Sequence, residues 1–343
     1  MTQPIFPTDC SSLLSKYLTI EIFETLKNRT TNNGFTLERA IRSGVENLDS
    51  GIGVYAGDEE SYEVFDALFN PIIESYHGFK NEDKHSSDLN HETLNFKNLD
   101  KNEEFILSTR IRVGRNLKGF PLGTIISKAQ RDEVERLVVT ALEKLTGELE
   151  GTYYPLYNMS SEIQKQLIKD HFLFKEGDRF LESAGLNRDW SEGRGIFHNH
   201  DKTFLVWLNE EDQLRIISMQ QGGDILSVFR RLVSAIESLE EEVSFAYNEH
   251  LGYISSCPTN LGTAMRASVH IKLPKLAENM EQFKAITKKY HLQIRGVNGE
   301  HSKSEGSVYD ISNRRRLGIT EIEAVKDLYT GVKALIEAEK MSI

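Results

Sequence analysis

The run MRASVHIKL, from Met265, limits the fold more than any other segment because it alternates without a break. Ala267, Val269, Ile271 and Leu273 fall on one face of an extended strand, and Arg266, Ser268, His270 and Lys272 on the other. Such a strand packs one face on a core and leaves the other to meet solvent or an anion. LSTRIRVGRN, from Leu107, repeats the pattern: Arg110 and Arg112 share a face, with Ile111 and Val113 opposite. Two readings are open. Alternating arginines are commonly a solvated face. Their recurrence on two strands also suits a polyphosphate, since a guanidinium presents a planar fork matched to phosphate oxygens.

Charge narrows the choice. The chain of 343 residues has 41 Lys and Arg against 52 Asp and Glu, a formal charge of −11. This disfavours a nucleic-acid or anionic-membrane binder, so any phosphate site must be a local basic pocket on an acidic protein. Cys10 and Cys257 are the only cysteines, too few for a disulfide framework or a cysteine-rich zinc module, which points to a reducing cytosol. The N-terminal MTQPIFPTDCSS has neither a secretory nor a mitochondrial targeting pattern, and no apolar run is long enough to span a membrane. The expectation is a soluble, cytoplasmic protein.

The length suits a small unit beside a large one. From Ser11 to Tyr76 apolar residues recur at helical spacing: Leu13, Leu14, Tyr17 and Leu18, then Leu37, Ala40 and Ile41 behind a Thr36 cap. Tyr62, Val64, Phe65, Leu68 and Phe69 mark a further helix that Pro71 is expected to break or restart. Residues 1–82 thus read as a small all-α domain and 83–98, polar and poor in aliphatics, as a surface linker. Residues 99–343 mix strand and helix periods. Ser127 with Gln130 forms a capping box ahead of one helix, and Asp224 caps another. TFLVWLNEEDQLRIISM, from Thr203, reads as a hairpin with Asn209, Glu210, Glu211 and Asp212 at its tip, implying an antiparallel sheet. The fold class is α+β.

Two carboxylates draw attention. RGVNGEHSKSEGSVYDISN, from Arg295, holds Gly296, Gly299 and Gly306 between two strand-like runs, a loop that can move or let backbone approach a ligand. Glu300 at its centre and Glu211 at the hairpin tip offer two carboxylates to one cation, and a guanidinium, with five donors in a fork, is one that such a pair would hold and orient. Neither GxxxxGK[ST] nor GxGxxG occurs, so the backbone phosphate cradles are missing and arginine side chains must do that work. HNHD, from His198, lacks partners for a metal, and no metal ligand is assigned. Cys257 reads as a site-lining or buried thiol.

Over nearly its whole length the chain resembles the phosphagen kinases, most closely their arginine-phosphorylating members. The motifs that carry the resemblance are STRIRVGRN, DHFLFKEGDRFL, GRGIFHN, KTFLVWLNEEDQLRIISMQQGGD, CPTNLGT, RASVHIKLPKL and VYDISNRRRLG. It implies a small all-α N-terminal domain and a large C-terminal catalytic domain whose antiparallel β-sheet is flanked by α-helices. Arg110, Arg112, Arg215, Arg266 and Arg295 match the arginines that clamp ATP phosphates, and His171, His270 and His301 the histidines near base and ribose. Glu211 and Glu300 match the carboxylates that grip the guanidinium, with Cys257 beside it. Ser50, Gly51, Ile52, Gly53 and Tyr55 match the loop for the amino-acid end of the substrate, and Asp49 and Arg179 the pair tying the domains together.

The implied reaction is reversible transfer of the γ-phosphoryl group from ATP, with Mg2+ held mostly by phosphates and water, to a guanidino nitrogen. By the same resemblance Glu300 and the short GIG loop favour L-arginine over creatine, and Tyr76 favours it over lombricine and glycocyamine; taurocyamine is the alternative substrate, and a weakly catalytic nucleotide- and guanidine-binding protein the alternative of another class. Val297-Asn298 and Ala264-Met265 depart from the family's usual residues. A monomer acting on small molecules, with no nucleic acid or membrane partner, is expected.

Overall fold

In the computed structural model, which describes residues 2–174, 176–296 and 306–341, the two alternating runs lie side by side at the centre of one sheet. The strands are β1 (Ile106–Arg115), β2 (Gly151–Pro155), β3 (Gly195–Asn199), β4 (Phe204–Leu208), β5 (Leu214–Gln221), β6 (Tyr247–Asn248), β7 (Gly252–Tyr253), β8 (Met265–Lys272), β9 (Leu292–Arg295) and β10 (Val308–Asn313). β6 and β7 form a separate ribbon; the others make an antiparallel sheet in the order β2-β3-β4-β5-β1-β8-β10-β9. Short turns join β3 to β4 and β4 to β5, the second being the expected acidic hairpin.

Register decides what the sheet displays. Arg112 lies opposite Arg266 on β8, Arg110 opposite Ser268, and Gly114 opposite Arg215 on β5. Residues paired across a ladder point to the same side, so these cations form one band. Ile111, Val113, Ile216, Ala267, Val269 and Ile311 fill the other face and are fully buried in the main core. Helices Lys128–Leu142, Ile225–Glu240 and Glu321–Met341 contribute buried residues to that core; the Ser127–Gln130 capping box and the Asp224 cap start two of them. Each buried Ile or Val contributes about 1.5–3 kcal/mol, which holds the sheet rigid behind the cations. Toward β2 and β3 the cationic face has its own cover, built from Leu167, Phe172, Phe174, Ile196, Leu205 and Ile217.

The N-terminal unit is helical: Leu13–Tyr17, Ile20–Leu26, Leu37–Glu46, Ser61–Val64 and Asp66–His77, with Ser12, Thr19 and Thr36 capping the first three. The expectation for Pro71 needs correcting, because the break falls at Phe65 and Pro71 lies inside Asp66–His77. Leu68, Phe69, Ile72 and Ile73 form one buried stripe across the proline, and their burial outweighs the single backbone bond that it removes. Leu14, Phe23, Phe65 and Phe69 share a core with Leu122, Leu186, Ile254 and Leu317 of the larger unit, so the two units meet through apolar packing.

Residues 83–98 contain only the short turn His91–Thr93, yet they are sewn to the larger unit. The His85 N–H donates to the Glu249 carbonyl (2.8 Å), Gly318 N–H donates to His85 Nδ1 (3.2 Å), and the buried Glu321 carboxylate accepts from Ser87 Oγ and Asp88 N–H. No helix among the described residues is long and apolar enough to cross a membrane.

Gly44 is a test of how the loop after Leu37–Glu46 is shaped. A Cβ there would stand 2.5 Å from the Gly53 Cα and carbonyl oxygen, which is backbone that cannot step aside. Gly44→Ala is expected to destabilise the protein by about 1–3 kcal/mol in urea unfolding; an unchanged midpoint would show that the loop yields freely.

Candidate active site

The arginine band is incompletely neutralised. Arg266 Nη2 lies 2.8 Å from Asp310 Oδ2, and Arg215 Nη2 lies 2.9 Å from both Glu210 Oε2 and Glu211 Oε2. Arg110 and Arg112 have no carboxylate partner among the described residues, and Arg110 Nε is buried without an acceptor. Burial pushes the Arg110 guanidinium down to about 10, with Arg215 and Arg266 adding repulsion; burial followed by Arg215 and Arg110 depresses Arg112 strongly. Trp207 supplies a partial offset, its ring centroid 5.9 Å from the Arg110 guanidinium carbon and 5.4 Å from that of Arg215. Like charges crowded out of water call for an anion.

The hairpin tip sets carboxylates beside this band. Asn209 N–H donates to the Gln213 carbonyl (2.8 Å), closing the turn. Asp212 is consumed structurally, accepting from Asn116 Nδ2 (2.8 Å), Ser255 Oγ (2.7 Å) and Ser256 N–H (2.9 Å). Among the described residues Glu211 has only Arg215 on its carboxylate, at Oε2. Burial lifts its carboxyl to about 7 against the pull of Arg215, with Asp212 and Glu210 adding repulsion. Cys257 lies near it and is buried; burial and then Glu211 push the thiol up to about 12, so it is neutral at pH 7, with Sγ 3.1 Å from Thr259 Oγ1.

A cleft of about 420 Å³ separates the small unit from the cationic face. Asp49, Ser50, Gly51, Ile52, Tyr55 and Tyr76 line one side; Arg112, Glu211, Arg295 and Arg316 line the other. A narrow extension of about 60 Å³ shares Arg112, Glu211 and Arg316 with it and adds Arg215 and Arg266. The loop turns its carbonyls to the helices: Gly51 and Ile52 accept from the N–H groups of Leu13 and Leu14, and Gly53 from that of Gly44. Gly53, at φ 80°, packs against Leu14 and Gly44 and does not line the cleft, so it shapes the loop. Asp49 pairs with both Nη atoms of Arg179, across the cleft's rim, and both side chains are exposed.

The other residues singled out from the sequence are more scattered. His270 Nε2 stands 3.8 Å from Asp310 Oδ2 on the cationic face. His171 is exposed at φ 57°, next to Phe172, whose carbonyl accepts from Trp207 Nε1 (2.8 Å). Glu300 and His301, with Val297 and Asn298, lie outside the described residues. Two residues escaped the sequence reading. Asp310 faces His270 and Arg295 in register, and its alternation with buried Ile311 was the available signal. Arg316 follows the end of β10, where no periodicity operates; of the RRR run, Arg314 is exposed, Arg315 pairs with Asp327 (2.6 Å), and Arg316 enters the cleft.

Comparison with known proteins agrees with this geometry. The profile of the ATP:guanido phosphotransferase N-terminal domain matches residues 8–74, and that of the ATP:guanido phosphotransferase C-terminal catalytic domain matches residues 133–342. An arginine kinase of Penaeus vannamei is 55% identical over 334 residues, covering 97% of this chain and 94% of that protein. One from Eriocheir sinensis has the same identity and coverage. Among solved structures, a lombricine kinase superposes with a TM-score of 0.91 at 40% identity, covering 96% of this chain and 92% of that one. The duplicated taurocyamine kinase of Schistosoma mansoni, bound to transition-state analogue components, gives 0.91 at 46% identity and 96% coverage. This chain spans 46% of that duplicated chain.

The crowding of the arginines makes a stability prediction. Arg112→Met should raise the urea-unfolding free energy of the ligand-free protein by about 1 kcal/mol and should weaken stabilisation by tripolyphosphate. A loss of stability in the ligand-free protein would show that the band is self-sufficient without an anion.

Proposed function

The chain belongs to the ATP:guanido phosphotransferase family, the phosphagen kinases, and from that premise we propose that it is an arginine kinase, moving the γ-phosphoryl group of ATP reversibly to the guanidino group of L-arginine. The observation that carries this reading is the meeting of Glu211 with Arg112, Arg215 and Arg266 at the junction of the cleft and its narrow extension. A cationic guanidine held on Glu211 would abut a phosphate chain held on the arginines.

Each group then has a physical task. Arg110, Arg112, Arg215, Arg266 and Arg295 hold the phosphates and offset the charge that spreads over the transferring group. Opposite charges about 4 Å apart at an effective dielectric of 20 interact by about 4 kcal/mol before desolvation. Magnesium enters with the nucleotide, as the family uses Mg-ATP, and neutralises phosphate charge; an ion of this kind is usually held by phosphates and water with few protein ligands. Glu211, with Glu300 as its assigned partner, aligns the attacking nitrogen, the kind of placement that yields large effective molarities. Cys257 contributes as a neutral, packed thiol. The N–H groups of Gly51 and Ile52 have no acceptor among the described residues and suit the substrate carboxylate, while Tyr76 bounds the space for its amino-acid end. His171, His270 and His301 are assigned to the base and ribose, and the Asp49–Arg179 pair to holding the two units in register.

The same reading assigns residues 1–82 to guanidine recognition and 99–343 to catalysis, joined by 83–98. It also takes the enzyme to be a cytoplasmic monomer; two free cysteines fit a reducing compartment.

A coupled assay offering arginine, taurocyamine, creatine, lombricine and glycocyamine with Mg-ATP tests the reading. Arginine should dominate; a preference for taurocyamine would relocate the error to the loop at 49–55, and silence with all five would favour a binding protein. Glu211→Gln should lower kcat about 10²-fold or more while nucleotide KM stays near the parent value. Protonating Glu211 removes the charge that holds the guanidinium. Arginine kcat/KM should therefore fall as pH drops through about 7, and the limb in kcat should lie lower because bound guanidinium favours the ionised form. An acid limb unchanged in Glu211→Gln would assign it to another group.

A further inference from the structure

Three donors of the small unit end on one stretch of the large one. Tyr62 Oη donates to the Ser255 carbonyl (2.7 Å), the Ala56 N–H to the Ser256 carbonyl (2.8 Å), and His77 Nε2 stands 2.9 Å from the Pro258 carbonyl. A carbonyl only accepts, so His77 carries a proton on Nε2. From its other side the same stretch grips the hairpin tip. Ser255 Oγ and Ser256 N–H donate to Asp212, and Ser256 Oγ donates to the Glu211 carbonyl (3.2 Å). The turn that follows, Pro258–Asn260, is held by Arg316 Nη1 through the Thr259 carbonyl (2.7 Å) and Asn260 Oδ1 (3.1 Å).

We propose that residues 255–260 are a splint through which the small unit sets the position of Glu211, and that His77 is a positioning residue at its end. Two features single out His77. It is the last residue of Asp66–His77 and adjoins Tyr76, whose ring packs edge-on to it at 4.8 Å and which lines the cleft. A substrate that displaces Tyr76 therefore acts on His77 and so on the Pro258 carbonyl. The Tyr62 bond, by contrast, is buried in the shared core and serves the fold as a whole. A run of short bonds between close-packed elements transmits displacement because the interior compresses little. Burial holds the His77 ring down to about 4 against the Pro258 bond, with Arg316 adding to the fall, so the ring is neutral at pH 7 and does not repel Arg316.

The inference rests on Glu211 as the group that aligns the guanidine. Its test uses full-length His77→Phe, which keeps a ring and removes the donor, and His77→Gln, whose amide N–H can reach the same carbonyl. With arginine, His77→Phe should lower kcat about tenfold while ATP KM stays within about twofold, and His77→Gln should recover most of the loss. Ser256→Ala cuts the splint at the Glu211 carbonyl and should give the same signature, so the test survives if His77→Phe fails to fold. Parent-like kcat in both His77→Phe and Ser256→Ala, equal losses in Phe and Gln variants, or ATP KM worsening in step with kcat would overturn it. Failure of the underlying reading shows differently: the parent would turn over no guanidine, or Glu211→Gln would keep the parent kcat.

Discussion

Crowded positive charge on one face of a sheet is the constraint around which this structure is arranged. Arg112 and Arg266 oppose each other across the β1–β8 ladder, a pairing that costs stability unless a counter-charge arrives. The sheet tolerates it because Ile111, Val113, Ala267 and Val269 bury the opposite face completely, so the backbone cannot twist the cations apart. The internal carboxylates answer only part of the charge. Asp310 takes Arg266 and Glu210 and Glu211 take Arg215, while among the described residues no carboxylate pairs with Arg110 or Arg112. Such a face is organised before its ligand binds, which spares reorganisation when charge develops in the reaction.

The carboxylates of the hairpin show how neighbours in sequence part in role. Asp212 accepts three hydrogen bonds and anchors the tip to residues 255 and 256. Glu211, one residue earlier, has Arg215 on one oxygen and lines the cleft. Its raised carboxyl reflects burial without a full set of donors, the state expected of a group that awaits a cationic partner. Cys257 has the opposite character, a buried neutral thiol packed near Glu211.

Much of the site was legible because strand alternation and helix capping are local. Arg110, Arg112, Arg266 and His270 announce their shared face through a period of two, and Ser127, Asp224 and Thr36 mark helix starts by their own hydrogen bonds. Reading failed where distant packing overrode a local rule. Pro71 does not end its helix because a buried stripe spans it, and Gly53 leaves the cleft because Leu14 and Gly44 claim its surroundings. Arg316 had no local signal, since a loop arginine reveals its use only when Thr259 and Asn260 fold against it.

Local pattern was enough to say which residues share a face, where the acidic hairpin turns, and that a helical unit precedes a sheet domain; a long match to one family then supplied the chemistry. It took the folded chain to make the two arginine strands direct neighbours, to tie Asp212 into the fold and leave Glu211 on the cleft, and to let residues 255–260 bridge the small unit to the hairpin tip. The division follows from the range of the forces. Steric alternation and capping act over a few residues, whereas strand order, burial and the pairing of charges depend on segments that meet only after the chain has closed loops of a hundred residues or so.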